Sequence, residues 1–320
     1  MIQEPQKNVV SVIIASWNAR EYLLQCLASL TSEACFYPME IIVVDNASSD
    51  GSADYVARHY PNVVLIRNRE NLGFARANNL GISASTGRYI CLINSDVKVL
   101  PNCITGLVDF CQEHPKVGMV GPRMIGFDGI LQRSCRGFPN LWNMFCRALA
   151  LDTLFPGNKM LTGYSLTHWK QDSLRPVDIL FGCFWVVRRE AVQQVGLLDE
   201  GFFIFSEDMD WCKRFWAHQW QVVFVPSSEA IHYGGASSSN APLRFDIERQ
   251  KADLQYWNKH YSFLATKSYL LISCLHLFLR TVGYSLAVLI KKSGQQNYQY
   301  KLRRSVLCLK WLVFSAHRID

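Results

Sequence analysis

Four short apolar runs, alternating with helical stretches over the first hundred residues, do most to limit what this chain can fold into. Val10 to Ala15 leads into Ser16-Trp17-Asn18, and Glu40 to Val44 leads into Asp45-Asn46. Val63 to Ile66 is a third run, and Tyr89 to Ile93 ends on Asn94-Ser95-Asp96. Between the first two, Asn18 and Glu21 have the spacing of a capping box, and Leu23, Leu24, Leu27 and Leu30 recur at helical intervals. A short helix is expected near Ala53 to His59, and a longer one from Gly73 to Thr86 with Gly87 as its stop. Strands alternating with helices at this spacing predict an α/β fold, a mostly parallel sheet with helices on both faces. Such sheets bind ligands beyond the carboxyl ends of their strands. The polar clusters lie at those ends.

The fourth run frames the chemistry. Side chains two apart on a strand point to one face, so Asn94 and Asp96 can offer two oxygens to one point. Asn, Ser and Asp also favour plain turns, so a turn and a site for a hard divalent cation on a diphosphate are both open readings. Mg²⁺ is typically held by one or two carboxylates plus substrate phosphates. His232 would add an imidazole and tilt the choice toward Mn²⁺, although a lone histidine is also a common structural residue. Glu207-Asp208, with Asp210 nearby, follows the aromatic run Phe202-Phe203-Ile204-Phe205. Acids are favoured at a helix N-terminus by its dipole. In an apolar wall, desolvation also raises a carboxylate's pKa toward that of a general base. No G-x-G-x-x-G follows the first strand and no Walker motif occurs, which removes the usual dinucleotide and P-loop readings.

Further along, 128–178 is irregular, with Pro139, Pro156 and Pro176, and reads as an insertion or long loop. Order returns with a strand at Leu180 to Arg188, a helix at Arg189 to Val195, and a strand from Gln221 to Val225 closed by Pro226. The 11 cysteines contain no C-x-x-C pair and several sit in apolar runs, which suggests reduced, buried thiols of a cytosolic protein. Nothing at the N-terminus has the pattern of a signal peptide.

Charge separates the chain into 1–260 and a tail at 261–320. The tail carries nine Lys and Arg against Asp320 alone, a net +8, so with +7 for the whole chain the body stands at −1. A basic footprint confined to the tail argues against nucleic acid as a partner of the body. Tyr269 to Ile290 is long enough to span a bilayer. Arg280 sits in its middle, at a cost of about 2.5–3.5 kcal/mol on the insertion scale, which its apolar residues barely offset. Ser273, His276, Arg280 and Tyr284 share one helical stripe, and Leu302, Val306, Leu309 and Val313 share a face of a second helix. Basic amphipathic helices of this kind lie in the membrane interface; packing on the body or in a homodimer is the alternative.

Taken in order, "SVIIASWN", "VVDNASSDGS", "NLGFARANNLGI", "YICLINSDV", "GCFWVVRREAVQQVGLLDEGFFIFSEDMDWCKRF" and "VPSSEAIHYGG" closely resemble the inverting GT-A-fold glycosyltransferases of family 2, in particular their rhamnosyltransferase-like branch. The resemblance covers Val9 to Gly235. It implies that Ser16, Trp17 and Asp45 contact the donor nucleoside and that Arg76, Asn79, Asn94 and Ser95 lie near the donor. It implies Asp96 and His232 as ligands of Mn²⁺ or Mg²⁺, and Asp208, beside Glu207, as the base. Asn94 departs from a strict D-x-D, and a neutral amide is a weaker ligand than a carboxylate, which leaves the ion free to arrive with the nucleotide. The implied activity is metal-dependent, inverting transfer of rhamnose or another hexose. The donor would be a dTDP- or UDP-sugar and the acceptor a lipid-linked or cell-surface glycan. The protein would lie on the inner face of the plasma membrane. A sugar-nucleotide nucleotidyltransferase would share the α/β layout but needs a Gly-rich, basic phosphate loop that "IIASWNAR" does not supply. A catalytically silent membrane-bound scaffold is the third reading.

Overall fold

The computed structural model describes residues 6–32, 36–235, 242–290 and 294–316. The first run forms β1 (Gln6–Ser16), followed by α1 (Arg20–Ser32), β2 (Met39–Asp45), α2 (Ser52–His59), β3 (Val63–Arg67), α3 (Phe74–Ala84) and β4 (Gly87–Ile93). Then come β5 (Val97–Val99), α4 (Cys103–Glu113), β6 (Val117–Ile125), β7 (Leu131–Gln132), β8 (Cys135–Arg136), α5 (Leu141–Ala148) and α6 (Leu151–Leu154). The rest is β9 (Arg175–Pro176), β10 (Ile179–Leu180), β11 (Phe184–Arg188), α7 (Arg189–Val195), α8 (Glu207–Ala217), β12 (Gln221–His232), α9 (Pro242–His260), α10 (Phe263–Ile290) and α11 (Gln295–Phe314).

The chain divides into two compact units, residues 1–136 with 170–240, and residues 137–169 with 241–320. The irregular 128–178 stretch is therefore shared: its middle, with α5 and α6, groups with the C-terminal helices.

In the first unit the main sheet runs β3-β2-β1-β4-β11-β6-β12-β5. The β3-β2-β1-β4 half is parallel, as the alternation of strands and helices predicts. Beyond it, β11 enters antiparallel to both β4 and β6. One face of the sheet buries Val10, Val12, Ile14 and Cys91 with Leu23, Leu27 and Leu30 of α1 and Leu107 and Val108 of α4. Each fully buried Leu or Val contributes about 1.5–3 kcal/mol, so this α1–sheet–α4 core fixes the strand ends. The opposite face carries α3, which approaches β1 closely because Gly81 has no Cβ to collide with Ile13.

Three local expectations are corrected. The Asn18–Glu21 capping box does not form: Asn18 adopts φ 48° and its Oδ1 accepts from Ser49 N at 2.8 Å, while Asp50 caps the first helical N–H, that of Arg20, at 2.8 Å. Gly87 does not stop α3, which ends at Ala84. It opens β4, where a Cβ would lie 2.6 Å from Val9 O and from Ser11 Oγ. β12 also continues past Pro226, with a register break between Val225 and Glu229, and carries His232 as its last residue.

In the second unit, α10 packs on α11, α5 and α9. Helix α9 supplies Asp246, which pairs with Arg304 of α11 at 2.9 Å. The buried residues of α11 are Ser305, Cys308 and Leu312, while Leu302, Val306 and Leu309 of the expected apolar face are half-buried. Val313 is exposed. Helix α10 is amphipathic with its apolar side outward. From Leu271 to Ile290 its exposed residues are Leu271, Leu275, Phe278, Leu279, Val282, Gly283, Leu286, Leu289 and Ile290, whereas Ser273, His276, Arg280 and Tyr284 are half-buried. Tyr269, near its start, is buried and stacks on Trp257 of α9 at 4.6 Å.

Candidate active site

Parallel pairing brings the first two strand ends together. Ser16 is in register with Asp45, and Asn46 N–H donates to Ser16 O at 2.8 Å. Of the three predicted nucleoside contacts Ser16 and Asp45 are buried, and Ser16 Oγ and Asp45 Oδ1 have no hydrogen-bond partner among the described residues. A buried orphan oxygen is costly, so this pair is suited to a donor group from a ligand. Burial raises the Asp45 carboxyl above its usual range, with Ser48 N–H and hydroxyl pulling the other way. Trp17 is half-buried beside them.

Asn46, a neighbour of these residues, holds the next loop. Its amide donates to Asn71 Oδ1 (3.0 Å) and Gly73 O (3.1 Å) and accepts from Asn68 Nδ2 (2.9 Å) and Leu72 N (3.1 Å). That loop delivers Gly73, at φ +83°, against Phe203; a Cβ there would lie 2.3 Å from Phe203 O. Phe203 O in turn accepts from Phe74 N at 2.7 Å. The start of α3 is thereby tied to the aromatic run that precedes Asp208. Of the predicted donor residues on α3, Arg76 is half-exposed and lies 3.7 Å from Glu200. Asn79 is buried, accepting from Leu198 N (3.1 Å) and donating to Leu198 O (2.8 Å) and Glu200 Oε1 (3.1 Å). Its amide is engaged by the protein itself.

The other strand ends gather Asn94, Ser95, Asp96 and His232. Antiparallel pairing of β12 with β5 sets His232 opposite Val97, and Tyr233 N–H donates to Asp96 O at 3.0 Å. His232 Nε2 then lies 3.3 Å from Asp96 Oδ1, both side chains largely buried. Cis ligands each about 2.1 Å from an octahedral ion stand about 3 Å apart, so the pair fits two adjacent positions of a divalent cation. Among the described residues no group of three or more His, Cys, Asp or Glu forms a metal site. Two protein ligands with the remainder from substrate and water is the arrangement Mg²⁺ and Mn²⁺ commonly take. Ser95 is buried beside Asp96.

Asn94 N–H donates to Cys183 O at 3.0 Å, because β11 pairs with β4 up to Phe184 opposite Ile93. Burial pushes the Cys183 thiol up to about 12, with the Asp96 and Asp208 carboxylates adding to the rise. Asp208 itself follows Phe205 and Ser206, both at positive φ (71° and 62°). For such residues left-handed backbone costs about 1–3 kcal/mol each, a strain that clusters at functional sites. The three acids of α8 differ. Asp210 is fully buried and bound to Arg214 Nε at 2.8 Å, Glu207 is buried, and Asp208 keeps partial exposure with Oδ1 accepting from Met209 N at 2.8 Å.

One residue of this site escaped the sequence reading. Gln132 donates from Nε2 to His232 O at 2.7 Å, and its Oε1 lies 2.8 Å from His232 Nδ1. An isolated glutamine in an irregular stretch carries no signal of such a role.

The profile of glycosyl transferase family 2 matches residues 11–196, which include Ser16, Asp45 and Asp96. The chain belongs to this family. This family 2 enzyme is an inverting glycosyltransferase that moves a sugar from a nucleoside-diphosphate sugar to an acceptor. It is 32% identical over 246 residues, 73% of this chain and 79% of the relative, to an N-acetylglucosaminyl-diphospho-decaprenol L-rhamnosyltransferase of Mycobacterium tuberculosis. It is 23% identical over 217 residues, 67% of this chain and 63% of the relative, to the low-salt glycan biosynthesis hexosyltransferase Agl10 of Haloferax volcanii. Among solved structures, the mannosyltransferase PcManGT of Pyrobaculum calidifontis, in complex with GDP-Man and Mn²⁺, shares the fold at a TM-score of 0.56 and 16% identity, over 95% of this chain and 87% of that one.

Proposed function

We propose that this glycosyltransferase transfers rhamnose, or a related hexose, from a dTDP- or UDP-sugar to a lipid-diphosphate-linked glycan at the cytoplasmic face of the membrane. The observation that carries the reading is the 32% identity with a rhamnosyltransferase whose acceptor is a diphospho-decaprenol sugar. Helix α10, long and apolar enough to cross a membrane, turns an apolar stripe outward, which supports a lipid-side location. With Arg280 half-buried toward the helix's inner side, we read α10 as lying in the interface rather than crossing it.

In this reading Asp45 accepts from the imide N–H of the pyrimidine base, which gives the orphan Oδ1 its partner, and Ser16 and Trp17 complete the nucleoside contact. Arg76, Asn94 and Ser95 border the diphosphate and sugar, and Asn79 acts from behind through Leu198 and Glu200. Asp96 and His232 hold a divalent cation, which when bound neutralises the charge that develops on the diphosphate leaving group. Asp208 takes the proton from the acceptor hydroxyl as that oxygen attacks the anomeric carbon opposite the nucleotide. The single displacement inverts the centre through an oxocarbenium-like transition state. Asp208 suits this role better than Asp210, whose carboxylate is committed to Arg214.

A binding screen of UDP-, dTDP- and GDP-sugars with Mn²⁺, with Mg²⁺ and with EDTA tests the reading. Binding of a dTDP- or UDP-sugar that is lost in EDTA and in Asp96→Ala supports it. Preferential binding of GDP-sugars, or full activity in excess EDTA, refutes it.

A further inference from the structure

Gln132 joins two atoms of His232 at once, and the chemistry of each contact fixes the other. A carbonyl oxygen can only accept, so the Gln132 nitrogen must face His232 O, where it lies at 2.7 Å. The Gln132 oxygen is then the atom 2.8 Å from Nδ1. That oxygen can only accept as well, so Nδ1 must carry a proton. In the neutral ring Nε2 is therefore the bare nitrogen, and it is the one that faces Asp96 Oδ1 at 3.3 Å. A lone pair and a carboxylate oxygen repel at that distance unless a proton on the ring or a metal cation stands between them. The hairpin that carries Gln132 is itself fixed. Met124 pairs with Gln132 and Ile125 with Leu131, Gly126 N–H donates to Ile130 O at 2.7 Å, and Gly129 turns the chain at φ +78°.

We propose that Gln132 is a positioning residue that locks His232 in the Nδ1–H tautomer and so presents Nε2, with Asp96, to a divalent cation. The inference rests on the reading of Asp96 and His232 as a cation pair. It assigns a task to the hairpin of β6 and β7, which the sequence marks only as irregular chain. Ligating histidines commonly need such a partner for the other ring nitrogen, and its loss typically lowers metal affinity 10- to 100-fold.

The test begins with the metal-free enzyme labelled with ¹⁵N-histidine, its His232 signals identified by their loss in His232→Asn. At a pH where the rings are neutral, the wild-type ring should be Nδ1–H, and Gln132→Leu should populate Nε2–H. A wild-type Nε2–H ring, or a tautomer unmoved by Gln132→Leu, overturns the proposal. Mn²⁺ affinity, measured by the free-ion EPR signal with UDP present, should fall 10- to 100-fold in Gln132→Leu. In Gln132→Glu it should fall less than in Gln132→Leu, because a carboxylate oxygen still accepts from Nδ1–H although the bond to His232 O is lost. Equal damage from both substitutions would mean that the side chain merely supports the hairpin, and would overturn the proposal. If His232→Asn leaves Mn²⁺ affinity unchanged, the cation reading fails, while the tautomer result stands or falls separately.

Discussion

Truncating Asn79 to alanine separates a donor contact from an internal fastener. The side chain is buried and makes three hydrogen bonds, two to the backbone of the buried Leu198 and one to Glu200 Oε1. Asn79→Ala leaves the Leu198 N–H and C=O in a dry site with no replacement, and an unsatisfied buried group costs about 1–3 kcal/mol. The Glu200 side chain is half-exposed, so water replaces that bond and it adds only about 0.5 kcal/mol. The expected loss is about 2.5–6.5 kcal/mol in all. For a unit of this size each kcal/mol shifts Tm by about 2–4 °C, so Tm should fall by about 5–25 °C. Urea and thermal unfolding, followed by tryptophan fluorescence, would measure it. Because Leu198 and Glu200 lead into the run that sets Asp208, kcat should fall while nucleotide-sugar Kd stays near wild type. An unchanged Tm with donor binding lost would refute this account and return Asn79 to the donor cleft.

Asp208→Asn should lower kcat by about 10²–10⁴ with donor binding intact; near wild-type turnover would move the base to Glu207. Burial raises the Asp45 carboxyl, and a carboxyl with a raised folded-state pKa withdraws stability as pH climbs through that value. Asp45→Asn should therefore melt higher than wild type at pH 7, with the gain vanishing once both carboxyl states are protonated in acid, and should bind the donor more weakly. A lower Tm at pH 7 would contradict this. The paired substitution Leu275→Glu, Phe278→Glu places charge on the outward stripe of α10. Anionic vesicles in a flotation assay should then recover much less protein, while turnover of a short soluble acceptor persists; undiminished recovery would rule the stripe out as the lipid-facing surface.

Local chemistry made much of this enzyme legible in its sequence. Apolar runs of strand length alternating with helical periodicity specify a parallel sheet, because each run must be buried on both faces and each connection must cross back over the sheet. Strand ends mark where ligands can bind, so the clusters that hold Ser16, Asp45 and Asp96 are legible in the sequence. Long-range pairing decided the rest. Asp96 and His232 meet because β12 runs past Pro226 and pairs antiparallel with β5 in the register that sets His232 opposite Val97. No periodicity encodes a partner so far along the chain. Asn79 and Asp210 look as available as their neighbours in sequence, yet folding commits one to Leu198 and the other to Arg214. Gln132 became visible only when a two-residue strand laid it against His232. In α10 the helical stripe was readable from spacing alone, but which side faces outward was set by α5, α9 and α11 packing on the polar one. Burial is a property of the neighbours a side chain acquires, and those neighbours are chosen by the whole fold.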